Sequence, residues 1–191
     1  MIHVYGIVDE LQELPPVPGV DGAPLERRRV DGLELVVSDS ADTEVTQAAV
    51  LRHAEVVEAL MSRSGAVLPA QFGRPFGDEA ELEAAIRPKT QELERGLDRV
   101  RGCVEFGLRV AGESPDATSG TEYMRARLDQ QRAVEPLEHV SRAVSANAYL
   151  VPADKIDEFQ EAVRRLQAEH AELTIVCTGP WPPYSFGAEE A

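Results

Sequence analysis

Apolar positions along this chain fall into runs and stripes that predict alternating strands and helices. Residues 2–8, IHVYGIV, form a β-branched apolar run that ends at Asp9 and predicts a strand. GLELVVSDS predicts a second strand, and its end offers Asp42 or Thr43 as the N-cap of a helix. Over residues 44–61, Val45, Ala49, Val56 and Leu60 recur at helical spacings and define one core stripe, within which His53 reads as a satisfied, half-buried side chain. A short strand runs through Pro69. Asp78 then caps a helix with Leu82, Ile86, Leu93, Leu97 and Val100 on one face, which Pro88 kinks or splits.

The second half repeats the mixture. GCVEFGLRV alternates strictly, with Val104, Phe106, Leu108 and Val110 on one face and Cys103, Glu105, Gly107 and Arg109 on the other, as a strand with one buried face requires. A helix carrying Tyr123, Met124 and Leu128 follows and ends at Pro136. Next, VSRAVSANAYLVP suits two short strands or one bent one. Ile156, Phe159, Val163, Leu166 and His170 mark a clear helix, and LTIVCTGP is a last strand. From Gly102 onward the order strand, helix, strand, strand, helix, strand is the split βαβ pattern of a ferredoxin-like fold. The predicted fold is therefore α+β in two small domains, residues 1–100 and 101–191, the second one ferredoxin-like.

Proline and glycine punctuate this pattern at three places. LPPVPGVDGAPLERRR holds four prolines and two glycines and predicts an exposed, variable loop. LPAQFGRPFGD sets Phe72 and Phe76 among Pro69, Gly73 and Pro75, with Arg74 between them, while GPWPPYSF closes the chain through Gly179, Pro180, Trp181, Pro182, Pro183, Tyr184 and Phe186. Prolines cannot donate to a sheet ladder, so both aromatic segments should run over the surface. Aromatics on stiff segments lose little entropy on contact, which makes Phe72, Arg74 and Phe76 candidate partner contacts. The tail admits two readings: an interface anchor, or a lid that folds back to close the C-terminal core or the groove between domains.

Composition narrows the function. The chain has 191 residues, 43% of them hydrophobic, enough for packed cores. A net charge of −15 repels phosphate backbones and anionic lipid, so neither nucleic acid nor membrane is expected as a partner. No window approaches the roughly 18–20 apolar residues of a membrane span, and the start lacks the pattern of a signal peptide, so a cytoplasmic protein is expected. Cys103 and Cys177 lie in separate strand-like runs and read as buried free thiols.

Catalytic motifs are lacking: the chain has no phosphate-binding glycine loop, no GxSxG, no HExxH and no CxxC. His3, His53, His139 and His170 lack metal-ligand spacing, so neither enzyme chemistry nor a metal or other cofactor is expected.

The two aromatic segments also carry a resemblance. GPWPPYSF, LPAQFGRPFGDEAEL, GCVEFGLRV, SGTEYMRARL and the opening VYGIV together resemble, in order and nearly end to end, the gas vesicle protein L/F family. Met124 and Gln71 depart mildly from its pattern. The resemblance implies a two-domain accessory protein without known enzymatic activity or cofactor. It further implies that the protein acts in the formation of gas-filled, protein-walled flotation vesicles, through contact with the small hydrophobic shell protein and other accessory gas vesicle proteins. On that basis Pro69, Gly73 and the residues Gly179–Phe186 named above are the family signature, with structural closure the favoured role of the tail, and the vesicle is an expected location beside the cytoplasm.

Overall fold

Ile2–Asp9 forms β1, and every residue from Ile2 to Val8 is buried. A strand buried all along its length must lie inside a sheet covered on both faces. This computed structural model, which describes residues 1–40, 45–112, 134, 137, 140–145, 147–171 and 173–186, has that arrangement in its first unit. There β2 (Glu26–Val30), β3 (Leu33–Asp39), β1 and β4 (Ala66–Pro69) form an antiparallel sheet in the order β2-β3-β1-β4.

Helix α1 (Gln47–Met61) covers one face with Ala49, His53, Val56, Val57 and Leu60. Ala49, Val56, Val57 and Leu60 join Tyr5, Val8, Val36 and Val67 in one hydrophobic cluster. Thr46 is the N-cap, its side chain accepting from the Ala49 amide at 3.1 Å; the expected caps Asp42 and Thr43 lie outside the described residues. Val45, expected in the core stripe, precedes the helix and is 72% exposed.

The Pro-rich stretch differs from expectation. Leu11 and Val20 are buried, and Leu14, Val17 and Leu25 pack against the same cluster. The Tyr5 hydroxyl accepts the Val20 amide proton at 2.6 Å and shares a second hydrogen bond, at 2.9 Å, with Ser38 Oγ. The prolines keep the segment out of the sheet only as far as Leu25: Glu26–Arg29 at its end, expected as loop, run into β2, and the interspersed leucines and valines dock the rest on the core rather than leaving it as an exposed loop.

Helices α2 (Glu79–Ile86) and α3 (Thr90–Val100) are separated by a 3-10 turn at Arg87–Lys89 that contains Pro88. Leu68, whose side chain points opposite to that of Val67, meets α3 at Gly96, where a β-carbon would lie 2.9 Å from a Leu68 methyl. The other face of the sheet is thus covered by α3. Met1–Gly102 and Pro182–Ala191 group as this first unit, so the tail after Trp181, expected with the C-terminal domain, counts with the N-terminal one.

The second unit spans Cys103–Trp181. Strands β5 (Cys103–Gly112), β6 (Arg142–Ser145), β7 (Ala148–Pro152) and β8 (Leu173–Trp181) pair antiparallel in the order β6-β7-β5-β8. That is the strand order of a ferredoxin-like sheet. Helix α4 (Ile156–Glu169) buries Phe159, Val163 and Leu166, and the Phe159 ring lies 4.9 Å from that of Phe106 on β5. The helix expected around Tyr123–Leu128 lies outside the described residues. Cys103 and Cys177, expected to be buried, form no disulfide and are only half-buried.

Candidate functional site

Sequence segments separated by more than half the chain meet on the first unit. A groove of about 860 Å³ is lined by Pro69, Arg74, Pro75 and Phe76 from the segment after β4, by Ala85, Ile86, Lys89 and Leu93 from the α2–α3 pair, and by Tyr184 from the tail. The helix break at Pro88 follows from proline's missing amide and fixed φ, and it sets Ile86 and Leu93 on the two helices that border the groove. Its wall is mostly apolar.

The loop after β4 is held firmly. Ile2 and Phe76 exchange backbone hydrogen bonds of 2.7 and 2.9 Å, and the Ala70 amide donates to the Tyr5 carbonyl at 2.9 Å. Gly73 sits at φ 91°, a conformation that L side chains rarely adopt. Asp78 caps α2 by accepting the Glu81 amide at 2.9 Å, and the Glu81 carboxylate accepts the amide of Gly77, the residue before the cap, at 2.6 Å.

Behind this loop lies a buried polar pair that sequence reading did not connect. His3 Nε2 and His53 Nδ1 are 2.8 Å apart, and His53 Nε2 lies 2.9 Å from the Ala70 carbonyl oxygen. A carbonyl only accepts, so His53 carries its proton on Nε2, its Nδ1 accepts, and His3 Nε2–H donates. His3 Nδ1 is then an unprotonated acceptor, buried without a hydrogen-bond partner. Burial, with the neighbouring His53 adding to it, pushes the His3 imidazole down to about 4; burial also lowers His53, partly offset by its bond to Ala70. Nothing in the local sequence marks two histidines fifty positions apart as partners.

The candidate contact residues divide accordingly. Phe72 is half-buried, its ring 5.3 Å from His3 and 5.6 Å from His53, and it faces the core cluster rather than the groove. Arg74 is exposed and Phe76 half-buried, and both line the groove.

In the tail, Gly179 has φ 124°, and a β-carbon there would lie 2.7 Å from the Glu105 carbonyl oxygen, so the close approach of β8 to β5 requires glycine. The Gly179–Pro180 bond is cis. Trp181 ends β8 and is 47% exposed, while Pro182, Pro183 and Phe186 are buried and Tyr184 is 38% exposed. The 3-10 turn Tyr184–Phe186 packs on α3 and on β4, which is an edge strand.

A second cavity of about 710 Å³ is polar, and its arginines are paired with carboxylates: Arg101 with Asp9 at 2.5 Å, Arg27 with Glu34 at 3.2 Å and Arg29 with Glu34 at 3.4 Å. Among the described residues no cluster of His, Cys, Asp or Glu has a metal-binding arrangement, and no helix is long and apolar enough to cross a membrane.

Comparison with known proteins agrees with the sequence resemblance. Residues 1–133 and 116–188 match the family described as gas vesicle synthesis protein GvpL/GvpF. Gas vesicle protein F2 of Halobacterium salinarum is 34% identical over 207 residues, covering 100% of this chain and 95% of that protein. Gas vesicle protein F of Haloferax mediterranei is 30% identical, covering 97% and 92%. In fold, the chain is similar to the crystal structure of GvpF from Microcystis aeruginosa, with a TM-score of 0.81 at 19% identity over 98% of this chain and 99% of that one. GvpF from Anabaena sp. PCC7120 gives a TM-score of 0.77 at 16% identity, covering 100% and 97%. With its whole length matched in sequence and in fold, the chain belongs to the GvpL/GvpF family of gas vesicle proteins.

Proposed function

We propose that this protein is a non-catalytic assembly factor that shields apolar surface of the small hydrophobic gas vesicle shell protein, working in the cytoplasm and at the growing vesicle alongside other accessory gas vesicle proteins. The observation that carries this reading is the groove itself, which joins the Pro69–Phe76 segment and the tail, the two most distinctive stretches of the sequence, in one apolar surface. A shell subunit destined for a water-excluding wall exposes apolar surface before it polymerises, and covering part of that surface suppresses off-path aggregation. A groove of about 860 Å³ accepts a few side chains of one segment, in the manner of a helix or strand laid along a hydrophobic channel. The charge of −15 keeps the carrier soluble and discourages its own association.

The test is co-purification of the shell protein with the full-length chain, compared with two groove variants. Leu93→Asn makes the half-buried wall polar, and Ala85→Phe fills the channel from an exposed position without touching the core. Capture by the wild type and loss in both variants is the expected result. Undiminished capture by both overturns the placement.

A further inference from the structure

The groove carries a charge pattern opposite to that of the chain. Its charged lining residues are Arg74, Glu81 and Lys89, and the Glu81 carboxylate is engaged by the Gly77 amide at the start of α2. In the same unit, Arg27, Arg28, Arg52, Arg87 and Arg101 all lie within ion-pair distance of Asp or Glu side chains. Among the described residues, Arg74 and Lys89 have no such partner; Arg63 and Arg95 have none either, but they do not line the groove. Two unpaired cations thus border one apolar channel, one from the loop after β4 and one from the turn between α2 and α3.

Resting on the reading of the groove as the docking surface, we propose that the segment it receives carries an Asp or Glu side chain among its apolar residues, and that Arg74 and Lys89 grip that carboxylate. The apolar wall of Phe76, Ile86 and Leu93 supplies contact area without regard to direction or register. A carboxylate gripped by two cations that come from different elements fixes both, and it rejects apolar segments that lack the charge. The surrounding negative field of the protein repels acidic segments elsewhere, so such a segment is favoured only at this groove.

The experiment measures binding of the shell protein, kept soluble as a fusion, to the full-length chain between low and high salt. The arms are wild type, the double reversal Arg74→Glu/Lys89→Glu, and Ala85→Phe. Both reversed positions are exposed, so melting curves should match the wild type. Reversal is expected to weaken binding by about tenfold or more and to flatten its salt dependence. A shell-protein variant with Asp or Glu of the docked segment changed to Lys should bind the reversed protein better than the wild type does. If Ala85→Phe abolishes binding while the reversed protein binds within twofold of wild type, the carboxylate proposal is overturned and the groove reading stands. If Ala85→Phe also binds normally, the groove reading fails and this inference falls with it.

Discussion

His3 on β1 and His53 on α1 form a one-directional hydrogen-bond chain, Nε2–H to Nδ1 at 2.8 Å, that ends on the Ala70 carbonyl. His53 must be neutral for it to exist, because its Nδ1 accepts. Adding a proton to either leaves an N–H buried without an acceptor, because His3 Nδ1 has no partner.

Stability should therefore fall with acid in a defined window. His3 titrates near 6.5 when unfolded and at about 4 when folded, so between these values the unfolded chain binds more protons. The contribution is complete above pH 6.5 and decreases as pH drops toward 4, with a total on the order of 3 kcal/mol. Glu161, held below its usual range by Arg164 and Arg165, loses its contribution only below its ordinary value of 4.5, largely outside this window. Urea unfolding at pH 7.0 and 5.0 reads the effect. A His3→Asn protein with the same pH slope as wild type would show that His3 is not its source.

The same chain anchors the loop that borders the groove. His53→Leu removes the donor to Ala70, whereas His53→Gln places an amide nitrogen near the same point and retains it. Amide exchange over residues 70–76 should accelerate strongly in the leucine variant and much less in the glutamine one, as expected for a buried hydrogen bond worth about 1–3 kcal/mol once broken. Equal protection in both variants would assign the loop's order to the Ile2–Phe76 backbone bridge alone.

Local periodicity made much of this fold legible. The β5 alternation put Val104, Phe106 and Leu108 inside, and the spacing in α4 found Phe159, Val163 and Leu166. Such patterns depend on each element's own geometry and need no knowledge of what it packs against. The contacts that define the groove are of another kind. Tyr184 joins Pro69 and Leu93 through tertiary packing alone, His3 meets His53 the same way, and Val20 is fixed by Tyr5 despite sitting in a proline-rich stretch that reads as loop. Val45 erred in the opposite sense: its spacing fits the stripe, but the helix begins after Thr46, so the stripe does not extend to it.

Tyr5 tests the docking of that proline-rich segment. Tyr5→Phe keeps the ring and deletes the hydroxyl that accepts from the Val20 amide, leaving a buried N–H unsatisfied and Ser38 without this partner. A loss of about 1–3 kcal/mol is expected, together with faster exchange at Val20. An unchanged Val20 protection factor would mean that apolar packing of Leu11, Leu14 and Val17 suffices.

The tail distinguishes its aromatics by burial rather than size. Trp181, the largest, is 47% exposed at the end of β8, whereas Phe186 is 1% exposed in a turn packed on α3 and the edge strand β4. A loop laid over an edge strand also blocks unwanted pairing there. Phe186→Ala should then cost about 3 kcal/mol, the range for deleting a buried ring, and expose β4. Trp181→Ala should cost under about 1 kcal/mol, since its ring already meets water over much of its surface. Denaturant midpoints for the two variants decide between them: a larger loss for Trp181→Ala would return the closing role to tryptophan. Faster amide exchange along Ala66–Pro69 in Phe186→Ala alone would tie that role to the edge of the first sheet.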